Sequence, residues 1–177
     1  MLRLFVALRP PPEMRQALIA TMHGVAGARW QNDAQLHLTL AFIGNADEAL
    51  AERIDAGLRS LRAKPVAFGI AGVGAFHSGD MASTLWAAAT PVDVLERLAL
   101  KVDHACRQAG ARMERRAYVP HITLARLNRS SGVVEGWLAS HAGLAVADTV
   151  INRFGLYESR LGSGGSSYHL LADYPLG

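Results

Sequence analysis

Short apolar runs alternate along this chain with stretches whose apolar positions recur at helical spacing. Leu2 to Leu8 is a brief run rich in Leu, Phe and Val that reads as a buried strand. Pro10, Pro11 and Pro12 stop it, and Met14, Leu18, Met22 and Val25 then predict a helix over 12–25. Leu36 to Gly44 predicts a second strand, with His37, Thr39, Ala41 and Ile43 on one side and Leu36, Leu38, Leu40 and Phe42 on the other. Asn45 followed by Glu48 resembles a capping box, and Leu50, Ile54, Leu58 and Leu61 mark a helix over 47–63.

The second half repeats the rhythm. Val66 to Phe76 and Ser83 to Ala89 read as strands around a His77-Ser78-Gly79-Asp80 turn. Thr90 caps and Pro91 opens a helix whose apolar face is Leu95, Leu98, Val102 and Cys106, which makes Cys106 a packing residue. His121 to Leu127 is another strand, and Ser131 to Ser140 reads as a short helix weakened by Gly132 and Gly136. Leu144 to Ser159 and Ser167 to Pro175 form a closing hairpin around a flexible, glycine-rich loop, Arg160 to Ser166. His37 lies 12 residues after the expected end of the first helix, and His121 lies 13 after the third, near Gln108. That weak repeat suggests two related lobes facing each other across a cleft. No low-complexity linker divides the 177 residues, so one domain is expected.

Composition narrows the partners. The chain is 50% hydrophobic, too apolar for disorder, and its formal charge of +3 permits an anionic partner without demanding one. Sixteen of the 18 basic residues are arginine, whose planar fork matches phosphate. A single cysteine forbids an internal disulfide and suits a reducing cytoplasm. The apolar N-terminal run is too short for a signal peptide or a membrane span, and a cytoplasmic monomer is expected.

The chemistry concentrates in one repeated string. With seven histidines and six threonines, a His-x-Thr triplet is expected by chance about 0.24 times. It occurs twice, as His37-Leu38-Thr39-Leu40 and His121-Ile122-Thr123-Leu124, each inside a predicted strand. Residues i and i+2 share a strand face, so each motif presents a His–Thr pair on an apolar backing. Two imidazoles suit general acid and general base roles near neutral pH, and threonine hydroxyls can donate to phosphate oxygens. Arg126 could contact phosphate, but strict alternation puts it opposite His121 unless the strand ends or bulges first.

Other features carry less. Trp30, Tyr118, Tyr157 and Tyr168 could stack on a base, although such aromatics more often pack in cores. His23, His77, His104, His141 and His169 lack the motif. No third zinc ligand accompanies His37 and His121, and the glycine-rich loop lacks the lysine and helix of a P-loop.

The paired motifs resemble those of the two-histidine (2H) phosphoesterase superfamily. Flanking text resembles its RNA 2′,3′-cyclic phosphodiesterase family, historically called 2′-5′ RNA ligases. That text is Arg3-Leu4-Phe5-Val6-Ala7-Leu8, Arg29-Trp30, Ala41-Phe42-Ile43-Gly44, Pro120, Ala125-Arg126, Leu156-Tyr157-Glu158-Ser159, Tyr168 and Tyr174-Pro175-Leu176. The resemblance implies a bilobal α+β fold: two antiparallel sheets facing a central cleft, helices outside, and a pseudo-two-fold axis. It implies metal-independent, cofactor-free hydrolysis of a terminal ribose 2′,3′-cyclic phosphate to a 2′-phosphomonoester, on RNA ends or nucleotides. It assigns His37 as proton donor and His121 as proton acceptor, with Thr39 and Thr123 on the phosphate; the residues alone leave that order open. Two alternatives stand beside it: 2′-5′ RNA ligation at the same site, and a non-catalytic RNA-end or nucleotide-binding module.

Overall fold

The computed structural model describes residues 1–177. Its elements in chain order are β1 (Leu2–Leu8), α1 (Pro12–Ile19), β2 (Arg29–Trp30), a single 3₁₀ turn at Asp33–Gln35, β3 (Leu38–Ala46), α2 (Glu48–Ser60), β4 (Val66–Ser78) and β5 (Met81–Thr90). There follow α3 (Val92–Gln108), β6 (His121–Arg126), α4 (Glu135–His141), β7 (Ala145–Ile151), β8 (Arg153–Gly162) and β9 (Gly165–Pro175). The fold class is α+β, as expected.

The nine strands are antiparallel and run in the order β7-β4-β5-β6-β3-β1-β8-β9, with β2 added to β6. The sequence leads one to expect two sheets, but the hydrogen-bonded path is continuous. It is narrowest in the middle: β3 and β6 share one register pair, Leu38 with Ile122, whereas β1 pairs with β3 at seven positions. The long helix α3 buries Leu95, Leu98, Ala99, Val102 and Cys106 and packs against β3, β4, β5 and α2. Burial pushes the Cys106 thiol up to about 12, so it is an inert core residue. One core of 35 buried residues joins both halves of the sheet.

Several element boundaries differ from the sequence reading, each for a local reason. Helix α1 stops at Ile19: the Thr21 hydroxyl donates to the Leu18 carbonyl, and Gly24 and Gly27 then adopt left-handed φ of 85° and 69°. Met22 and Val25 still face the core, from a loop and not from a helix. The interval from helix to His37 is therefore longer than the 12 residues expected. Asp47 caps α2 by accepting from the Leu50 N–H at 2.7 Å, while Asn45 stays in β3. Thr90 ends β5 and does not cap; Pro91 takes the N-cap position of α3. An Asn128–Ser131 turn, with Asn128 Oδ1 accepting from Ser130 N–H, delays α4 to Glu135.

The largest correction concerns the C-terminal third. Leu144–Ser159 divides at Asn152 into β7, which pairs with β4 at one edge, and β8, which pairs with β1 near the other. Only Asn152 separates the two strands, with no glycine or proline beside it, so the sequence marks the crossover weakly. The supposed loop at 160–166 is mostly strand: β8 and β9 pair as far as Gly162 and Gly165 around a two-residue Ser163-Gly164 turn, with Gly165 at φ 110°.

Candidate active site

The central rung places the two motifs side by side. Carrying the Leu38–Ile122 antiparallel register one residue each way sets Thr39 level with His121, and His37 level with Thr123. Leu38 and Ile122 are fully buried, while His37, Thr39, His121 and Thr123 are half-exposed on the opposite face. The alternation expected from sequence holds through these residues.

It then breaks identically in both strands. Val6 pairs with Ala41 but Ala7 pairs with Thr39, so Leu40 is an extra residue in β3. Leu85 pairs with Ala125 but Trp86 pairs with Thr123, so Leu124 is the extra residue in β6. Each bulge buries two consecutive residues, Leu40-Ala41 and Leu124-Ala125, and turns the next side chain back to the exposed face. That is how Arg126 reaches the histidine side despite its odd spacing. Its counterpart in β3 is Phe42, 51% exposed, which strict alternation assigns to the packing side.

Both imidazoles are held by the same device. His37 Nδ1 lies 2.6 Å from the Gln35 carbonyl, and His121 Nδ1 lies 2.6 Å from the Val119 carbonyl. A carbonyl only accepts, so Nδ1 carries the proton in each ring and the neutral ring keeps its lone pair on Nε2. The Gln35 carbonyl is itself anchored. Asn32 and Gln35 form a reciprocal capping box, Arg9 donates to the carbonyls of Asp33 and Leu36, and Arg9 and Arg15 pair with the Asp33 carboxylate at 3.1 and 2.8 Å. Gln35 Nε2 donates to the Ser166 carbonyl, tying the turn to the β8–β9 hairpin. The Tyr118 hydroxyl donates to the Thr39 carbonyl at 3.0 Å, joining the segment before β6 to β3.

Aromatic walls flank the rings. His37 meets Phe5 and Tyr168, each at 4.9 Å between centroids; His121 meets Phe76 at 4.9 Å and Trp86 at 5.9 Å. A cleft of about 350 Å³ opens on the His37 side, touching Thr39, Phe42 and Arg126; His121 and Thr123 are not part of its lining. Burial pushes the His37 imidazole down to about 4; the bond to the Gln35 carbonyl opposes this, while His121, Arg126 and Arg9 add to it. Burial also lowers His121, again opposed by its backbone bond and reinforced by Arg126. Nowhere do three His, Cys, Asp or Glu side chains converge as a metal would need.

This geometry has relatives. The sequence pattern of the 2′-5′ RNA ligase superfamily matches residues 10–161. The chain belongs to that superfamily. It is 26% identical over 170 residues to the RNA 2′,3′-cyclic phosphodiesterase of Archaeoglobus fulgidus, covering 94% of this chain and 96% of the relative. With the RNA 2′,3′-cyclic phosphodiesterase of Methanocaldococcus jannaschii it shares 22% identity over 178 residues, covering 98% and 100%. The fold superposes on the TT0787 protein of Thermus thermophilus with a TM-score of 0.84 at 24% identity, covering 98% and 97%. The Escherichia coli LigT protein complexed with 3′-AMP gives 0.78 at 23% identity, covering 99% and 98%.

In this member of the 2′-5′ RNA ligase superfamily, the two histidines, the two threonines and Arg126 expected from sequence lie on one face of the sheet around the central rung. The sequence reading gave no role in the site to Arg3, Arg29, Gln35 or Phe42, all of which line the cleft. Aligning the two motifs six residues deep signals Phe42, because it stands where Arg126 stands. Arg3 and Arg29 stand in the flanking text that resembles the family, without a role attached, and Gln35 carries no signal; topology brings all three to the cleft. Of the four aromatics weighed for base contact, Tyr168 lines the cleft, Tyr157 stacks on Phe5, Trp30 packs beside Trp137, and Tyr118 bonds the Thr39 carbonyl. The five remaining histidines stay outside the cleft, and His23 and His141 lie near each other at 6.1 Å between centroids. No helix is long and apolar enough to cross a membrane.

Proposed function

We propose that the protein is an RNA 2′,3′-cyclic phosphodiesterase that opens a terminal ribose 2′,3′-cyclic phosphate to a 2′-phosphomonoester. One observation carries the reading: two imidazoles, each with Nδ1 at 2.6 Å from the carbonyl two residues upstream and each two residues before a threonine, flank the single Leu38–Ile122 rung. The relatives named above, similar over nearly their whole length, support it. We read the two halves of the sheet as two lobes related by a pseudo-two-fold axis through the Leu38–Ile122 rung, with the site between them.

In this scheme neutral His121 takes a proton from water through Nε2 as the oxygen attacks phosphorus. His37, protonated on Nε2, donates that proton to the departing 3′ oxygen. One P–O bond forms, the P–O3′ bond breaks, and the phosphate stays on the 2′ oxygen. The Thr39 and Thr123 hydroxyls and the Arg126 guanidinium meet the non-bridging oxygens, where negative charge gathers. Burial favours the neutral base on His121. It disfavours the imidazolium needed at His37, but a bound phosphodiester anion acts the other way, so His37 takes up its proton as substrate binds. The carbonyls of Gln35 and Val119 stabilise each ring as it becomes charged.

Incubation with 2′,3′-cyclic AMP, with and without chelator, tests this. The expected product is 2′-AMP at equal rates in both. Formation of 3′-AMP, or no turnover, would overturn the reading. Adding RNA with a 5′-hydroxyl asks whether the same site joins ends.

A further inference from the structure

The cleft holds more positive charge than the reacting phosphate can use. Arg3, Arg29 and Arg126 all line it, and no lining residue is acidic. Eight ion pairs satisfy arginines elsewhere in the molecule, but none involves these three. Arg126 makes one long bond to the Thr84 hydroxyl at 3.4 Å. Arg29 and Arg3 donate no hydrogen bond, and Arg3 lies only over the Phe42 ring at 5.3 Å.

Strand register makes this arrangement costly. The two-residue strand β2 pairs with β6 so that Arg29 stands directly opposite Arg126. Like charges opposite one another in an antiparallel pair repel. Arg29 also reaches the β8–β9 turn, where a Cβ on Gly165 would lie 3.1 Å from its Nη2, so the glycine leaves room for the guanidinium. A cyclic phosphodiester carries one negative charge and two non-bridging oxygens. In the proposed scheme both threonine hydroxyls and Arg126 already meet those oxygens, leaving Arg3 and Arg29 without an anion.

We infer that Arg3 and Arg29 form a second phosphate subsite, which holds the phosphodiester on the 5′ side of the terminal, cyclised nucleotide. The preferred substrate is then an oligoribonucleotide end, not a cyclic mononucleotide. The inference rests on the proposed activity, and deepens it by naming what the rest of the cleft reads. Phe42 stacks under Arg3 and keeps its guanidinium at the mouth.

The test compares two substrates: adenosine 2′,3′-cyclic phosphate, and a diadenylate ending in a 2′,3′-cyclic phosphate. The wild-type protein should prefer the diadenylate in kcat/KM by roughly tenfold or more, the range expected for charge-assisted hydrogen bonds to a phosphate. In Arg3→Gln and Arg29→Gln that ratio should fall towards one, mainly through KM, and Arg29→Lys should restore part of it. Because Arg29→Gln removes a like-charge neighbour, it should also unfold at a slightly higher temperature in phosphate-free buffer, and gain less from added inorganic phosphate. No preference in the wild type, or an unchanged preference in both variants, overturns the subsite. Turnover of neither substrate by the wild type would instead overturn the proposed activity.

Discussion

The run His37-Leu38-Thr39-Leu40-Ala41-Phe42, which leads into β3, and the β6 run His121-Ile122-Thr123-Leu124-Ala125-Arg126 share one backbone plan. Both alternate half-exposed and buried positions, bulge at the fourth residue, and bond Nδ1 to the carbonyl two residues upstream at 2.6 Å. They differ in what surrounds that plan. The sixth residue is aromatic in one and cationic in the other, and His37 is enclosed by Phe5 and Tyr168 where His121 meets Phe76 and Trp86. Depressed to about 4, His37 departs far from an ordinary imidazole. A duplicated scaffold thus yields two chemically unequal imidazoles. In the free protein that inequality favours the neutral form most strongly at His37, so the proposed donor role depends on the bound phosphate anion to bring the ring its proton.

The comparison breaks most severely if either ring is removed. His37→Ala and His121→Ala should each lower kcat on 2′,3′-cyclic AMP by about 10²–10⁴ while circular dichroism stays native. A variant retaining full turnover would remove that residue from the pair.

Exchanging the sixth positions probes the inequality itself. Arg126→Phe should cost about tenfold or more in kcat/KM, since it removes a charged donor to phosphate. The guanidinium disfavours both imidazolium ions, so its loss raises both histidine pKa values. The pH–rate profile of kcat/KM, whose limbs should both lie below the ordinary histidine range in the wild type, then moves to higher pH. NMR titration of the ring carbons would check the sign; a downward shift contradicts it.

Gly74→Ala should affect one half alone. A Cβ there would fall 2.4 Å from Trp86 Cζ2, so the indole beside His121 must move. Activity should drop several-fold, with the His121 titration altered and that of His37 unchanged. Altered titration of both rings would show that the halves are coupled through more than the central rung.

The smallest effect is on stability. The folded pKa of His37 lies below its unfolded value near 6.5, so the unfolded chain binds the extra proton first. Its stabilising contribution is complete above about 6.5, and it is lost as pH falls towards 4. Thermal unfolding should show a decline over that window that is shallower in His37→Phe. An identical slope in the two proteins would mean that the decline comes from other groups.

The motif was legible because alternation is a local property: two residues settle which face a side chain takes. The position of Arg126 was not, because a bulge is defined by the strand opposite, and that pairing joins residues far apart in sequence. The same holds for the division at Asn152, where two strands separated by a single residue pair in opposite halves of the sheet. Arg29 is one exposed arginine among sixteen until β2 sets it against Arg126. Chemistry written in consecutive residues could be read, whereas chemistry assembled by distant register needed the fold.

The neighbours of His37 join distant parts of the chain. Phe5 comes from the first strand, and Tyr168 and the Ser166 carbonyl from the last. The two aromatic neighbours of His121 and the carbonyl bonded to its Nδ1 all lie between Phe76 and the histidine itself. The walls of one ring are thus local in sequence, and those of the other join strands far apart along the chain. Loosening the β8–β9 hairpin would therefore disturb the walls of His37 and leave those of His121 in place.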